Sequence, residues 1–261
     1  ESMRVIAGLV MGGLLVGAGQ WLRASSARVG AALTAAGVAD LFTCTWAAAS
    51  VWELVSWQLG FAGMAAITLL ALCLSLRQGQ LVLVIGIIGG FLTPLLVRPP
   101  EPHPEVLFPY LLLLAAGVLL AARLGGWFPY APLTLPLAYA WGLHYLVTGE
   151  AVAHPLWVGT FVLLTAALHQ LAGCPGPGGP AWGRPQARPL LAWGGVAGGL
   201  LLLAWLTAAT DHAPGPALLF ALLAAGAMVR ERFEEDLTPL AWPGLLGALL
   251  LLATGPESLT A

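Results

Sequence analysis

Asp40 sits near the centre of a long apolar segment, residues 30–50, where an unpaired carboxylate costs at least ~2.5–3.5 kcal/mol. At helical spacing Gly37, Asp40, Cys44 and Ala47 share a face, with Thr43 alongside. The sequence therefore predicts a narrow stripe of small and polar residues directed into a bundle. Such a carboxyl either takes up a proton or cation, or stays protonated and hydrogen-bonded to a neighbouring helix. A second group lies in segment 80–97, where Gly89 and Gly90 are followed by Thr93 and Pro94. Proline removes a backbone donor, and paired glycines ease unwinding. A broken helix that binds substrate or ion near mid-membrane and a simple kink that admits a neighbouring helix both fit. A third group occupies connecting segments: Glu53; Glu101, His103 and Glu105; Glu150 and His154; Asp211 and His212. Histidines beside carboxylates could hold a divalent metal or act as acid and base. No spacing among them is diagnostic, and loops from which arginine is excluded collect acidic residues in any case.

The elements that must carry these residues are membrane helices. The chain is 59% apolar and 8% charged, with mean hydropathy +0.88. A soluble domain would carry roughly a quarter charged residues. About ten segments approach the ~20 residues needed to cross a bilayer: 4–22, 30–50, 57–76, 80–97, 105–124, 129–147, 154–172, 189–208, 214–230 and 238–254. An all-α integral membrane bundle follows. Odd-numbered connections carry Arg23, Arg28, Arg77, Arg123, Arg184, Arg188, Arg230 and Arg232, whereas the other side has Arg4 and Arg98. Basic residues stay with the cytoplasm, so the odd loops are expected inside and both chain ends outside. The third group of residues then faces outward. A net charge of −2 gives no basic face for nucleic acid. The expected partner is the bilayer itself, with room for a small-molecule or lipid ligand.

A Pro/Gly-rich stretch at 173–188 reads as a flexible linker between a seven-span region, 1–172, and a three-span region, 189–261. The dense charges of Arg230-Glu231-Arg232-Phe233-Glu234-Glu235-Asp236 read as a solvated turn. Gly8 with Gly12, Gly13 with Gly17, Gly194 with Gly198 and Gly195 with Gly199 are spaced for close helix contact, most simply within the bundle. Trp21, Trp52, Trp57, Trp127 and Trp157 mark span ends. Cys44, Cys73 and Cys174 have no metal-ligand or disulfide pattern. His169 and Gln170 are expected at the membrane edge, and His144, between Trp141 and Tyr145, either lines a cavity or packs at the interface. Nucleotide fingerprints and catalytic-triad spacings are missing, and no cofactor is expected.

Leu76-Arg77-Gln78-Gly79, then Gly86-Ile87-Ile88-Gly89-Gly90-Phe91-Leu92-Thr93-Pro94-Leu95-Leu96, together with Arg4-Val5-Ile6-Ala7-Gly8 and Ala36-Gly37, resembles the DUF2339 family. The resemblance covers roughly residues 4–150. It implies a bacterial multi-pass protein of the cytoplasmic membrane, of unknown function, and a longer chain than this one. After Ala36-Gly37 the family pattern stays apolar, so a role for Asp40 is not inherited from it. Three functions remain open: a transporter-like domain with a midplane site, a non-catalytic assembly domain of an envelope complex, or a membrane enzyme acting on a lipid-linked substrate.

Overall fold

The computed structural model describes residues 1–97, 101–172 and 187–233. The described backbone is helical: α1 (Ser2–Leu22), α2 (Ala27–Trp46), α3 (Trp57–Gln78), α4 (Gln80–Val97), α5 (Pro104–Gly125), α6 (Thr134–Thr148), α7 (Glu150–Ala153), α8 (Pro155–Ala172), α9 (Ala187–Ala209) and α10 (Pro214–Phe233). A π-helical turn, Ala47–Val51, prolongs α2, and a 3-10 turn, Phe128–Leu133, leads into α6. Seven of these helices are long and apolar enough to cross a membrane: α1, α2 with its π turn, α3, α4, α5, α8 and α9.

Two expectations change in detail. The segment expected at 129–147 is part 3-10 turn and part a 15-residue α-helix. Its prolines explain the split: Pro132 lies in the 3-10 turn, and Pro136 is tolerated in the first turn of α6. The charged run at 230–236 begins as helix, since α10 continues through Phe233; residues 234–236 lie outside the described part. So do the span expected at 238–254 and linker residues 173–186, while Ala187 and Arg188 already belong to α9.

Local signals fix the helix ends. Ser56 caps α3, its hydroxyl accepting from the Leu59 N–H at 3.4 Å. Pro104 opens α5 where its missing N–H costs nothing. Gly79 alone joins α3 to α4, with φ of 97°, a conformation closed to most side chains.

The chain forms two compact units, Glu1–His103 with Ala116–Tyr130, and Pro104–Ala115 with Ala131 onward. This grouping follows helix packing and does not coincide with the Pro/Gly stretch. Within unit 1, Ala35, Val38 and Phe42 of α2, Met64, Ile67 and Ala71 of α3, and Val82 and Val97 of α4 form the core. The opposite side of α2 lies on α1, antiparallel, through glycines: a methyl at Gly37 would fall 2.7 Å from the Gly12 carbonyl oxygen, and one at Gly30 would fall 2.7 Å from that of Gly19. In lipid such backbone approach replaces the hydrophobic effect as the packing force. Gly13 and Gly17 point into open space, so the two four-residue glycine pairs of α1 have different fates. Within unit 2, α9 packs on α6, α8 and α10. Phe108 stacks on Phe161 with centroids 4.7 Å apart and meets Tyr145 at 5.0 Å.

Candidate functional site

The 3.6-residue period of α2 sends Ala35, Val38 and Phe42 towards α3 and α4 and sends Gly30, Gly37 and Cys44 towards α1. Asp40 falls on the outer flank of the α1 face, beside the exposed Ala36 and Thr43. It is half-buried at the rim of the α1–α2 seam, so the polar stripe faces one neighbouring helix rather than the centre of the bundle. The Cys44 thiol, one turn later, donates to Asp40 Oδ1 at 3.6 Å. Gly8 makes room for that sulfur, since a methyl there would collide with Cys44 Sγ. Asp40 Oδ2 is buried and has no hydrogen-bond partner among the described residues. Thr43 is exposed and returns its hydroxyl to the Ala39 carbonyl at 2.9 Å.

Helix α4 is not broken. It runs unbroken from Gln80 to Val97 through Gly89, Gly90 and Pro94. Pro94 lies in the last turn, where it forgoes a single backbone bond, and the Thr93 hydroxyl donates to the Gly89 carbonyl at 2.8 Å. Gly89 serves as a notch: a methyl there would fall 2.5 Å from Cε2 of Phe42. Gly90, Thr93 and Pro94 are buried. Gly89 thus admits a ring from α2, and the helix does not unwind. At the end of α4 the Leu96 carbonyl accepts from Ser50 Oγ, in the π turn, at 2.8 Å.

Of the third group, Glu105 and Glu150 both lie near Tyr145 in unit 2. Among the described residues no three His, Cys, Asp or Glu side chains are placed to hold a metal ion. Glu101 is exposed, and His103 stacks on Trp57 at 5.0 Å between ring centroids. Glu105 occupies the first turn of α5, favoured there by the helix dipole. His154 ends α7, its N–H donating to the Glu150 carbonyl at 3.2 Å. Asp211 and His212 close α9 with φ of 49° and 60°, unusual for residues with side chains, and His212 Nε2 is buried with no partner among the described residues. His144 is exposed, with Trp141 and Tyr145 edge-on to it, so it packs at a surface.

Sequence reasoning missed a second polar centre, inside unit 2. His169, expected at the membrane edge, is 0% exposed because α6 and α9 cover the end of α8. Its Nδ1 lies 2.8 Å from the Thr165 carbonyl and its Nε2 lies 2.7 Å from Thr134 Oγ1. A carbonyl can only accept, so Nδ1 carries the proton. Tyr139 donates to the Gly195 carbonyl at 2.6 Å, and Arg230 donates to the Gln170 carbonyl at 2.7 Å. The Thr165–His169 spacing of four was the available signal, but many helices carry such a pair.

The family model described as "Predicted membrane protein (DUF2339)" matches residues 1–255. It therefore takes in the last three expected spans as well as the stretch of 4–150 on which the resemblance rested. No curated protein and no solved structure is detectably similar to the chain.

Proposed function

We propose that this chain, which belongs to the DUF2339 family of predicted membrane proteins, binds a proton or small cation at Asp40 as a transport-like membrane domain. One observation carries the reading. Near the middle of the 25-residue span Ala27–Val51, a carboxyl group has one oxygen against a weak thiol donor and the other buried without a partner. A structural carboxyl in lipid would be expected to find a strong donor on a neighbouring helix. One that holds back an oxygen is suited to exchanging a proton or ion. The site lies on α2, not on α4, and needs no unwound backbone. The enzyme reading has less support, because no three His, Cys, Asp or Glu side chains among the described residues are placed to hold a metal ion.

Dicyclohexylcarbodiimide tests this directly, because it attacks protonated carboxyl groups from the lipid phase. Mass-spectrometric mapping of the protein in bilayers is expected to find Asp40 labelled, with labelling falling as pH rises. Sodium or potassium should protect if a cation is the ligand. Asp40→Asn should remove the label and abolish proton or cation flux in proteoliposomes. An unlabelled Asp40, or labelling indifferent to pH and ions, would overturn the proposal.

A further inference from the structure

Threonines in these helices follow a habit. Thr43, Thr68, Thr93, Thr148, Thr207 and Thr210 each return the hydroxyl to the carbonyl four residues earlier. This is the usual way for a hydroxyl to be satisfied where no water competes. Thr34 departs from it. It is 0% exposed, yet its Oγ1 has no partner among the described residues. The hydroxyl lies across the seam against Gly19 of α1, where a methyl would collide with it.

A second helix brings a complementary group to the same glycine. Gln78, near the end of α3 and 8% exposed, donates Nε2 to the Gly19 carbonyl at 3.2 Å. That carbonyl only accepts, so the amide orientation is fixed and Oε1 is left as the buried acceptor without a partner. Gln20, next to Gly19, adds a buried amide nitrogen in the same condition. Helices α2 and α3 thus bring a hydroxyl and an amide oxygen to the neighbourhood of one glycine of α1.

We infer that Gly19, Thr34 and Gln78 form an internal hydration site that binds water at the arginine-bearing end of unit 1. The chemistry selects the ligand. Water can donate to Gln78 Oε1 while accepting from the Thr34 hydroxyl, and buried waters make about three such bonds. A cation would find no carboxylate there and would face the amide donors. The site is separate from Asp40: between the two, Gly12 and Gly37 meet backbone to backbone, leaving no passage along the seam. Its standing does not depend on the proton or cation reading.

Water-edited solid-state NMR of protein labelled with [15N]glutamine, in bilayers, reads the site. The Gln78 side-chain amide is assigned by its loss in Gln78→Leu. We expect it to acquire water magnetisation as fast as that of the exposed Gln58, and Thr34→Val to slow that transfer severalfold. No transfer to Gln78 in the parent protein would overturn the inference, whatever the folding of the variant. A Gln78 shift on replacing choline chloride by sodium or potassium chloride would overturn water as the occupant.

Discussion

The two units differ in where their buried polarity is placed. In unit 2 several polar side chains tie helices together: His169 lies between the Thr165 carbonyl and the Thr134 hydroxyl, Tyr139 holds the α9 backbone, and Arg230 holds that of α8; Thr165 Oγ1 and His212 Nε2 are exceptions. In unit 1 the polar atoms beside the glycine seam, Asp40 Oδ2, Thr34 Oγ1 and Gln78 Oε1, are buried and unspent. The difference separates polarity that ties helices together from polarity held ready for something small. Glycines that admit a neighbouring helix occur in both units, at Gly12, Gly30 and Gly37 in unit 1 and at Gly159, Gly198 and Gly199 in unit 2.

That contrast can be broken by substitution. His169→Ala should destabilise most, by roughly 3 kcal/mol, since it removes a packed, fully buried ring. Thermal unfolding in detergent is the check, and a variant as stable as the parent would deny the ring its role as glue. Gly37→Ala should follow at about 2 kcal/mol, because the new methyl meets backbone on α1 that cannot step aside. Tyr139→Phe keeps the ring and deletes one bond, for about 1 kcal/mol in the same assay. Asp40→Asn should change stability by less than about 0.5 kcal/mol. A large loss there would move Asp40 into the class of His169 and end the contrast. Gly13→Ala, facing open space, should be neutral or slightly stabilising.

Much of the helical plan was legible in the sequence, because a bilayer demands long apolar runs and leaves little choice of structure for them. Spans 57–76 and 80–97 match α3 and α4 to within a few residues. Asp40 was legible for the same reason, as a carboxylate in an apolar run. What the sequence did not carry was which face of a helix meets which neighbour. Gly8-Gly12 and Gly13-Gly17 have identical spacing, yet the first pair packs on α2 and the second faces outward. Gly89-Gly90 before Pro94 reads equally well as a break or as a notch, and the ring that decides the matter, Phe42, is 47 residues away. His169 looked interfacial because span position alone does not reveal that α6 and α9 cover it.

The seating of Phe42 on Gly89 reaches beyond packing. Asp40 and Phe42 ride on one rigid helix, in which each residue turns the chain by about 100°. Any rotation of α2 that swung Asp40 to a new environment would also lever the aromatic ring out of its notch. The close fit of Phe42 on Gly89 therefore fixes the angular setting of α2, as a detent holds a dial. A residue on α4 thereby helps to set which way the Asp40 carboxyl faces.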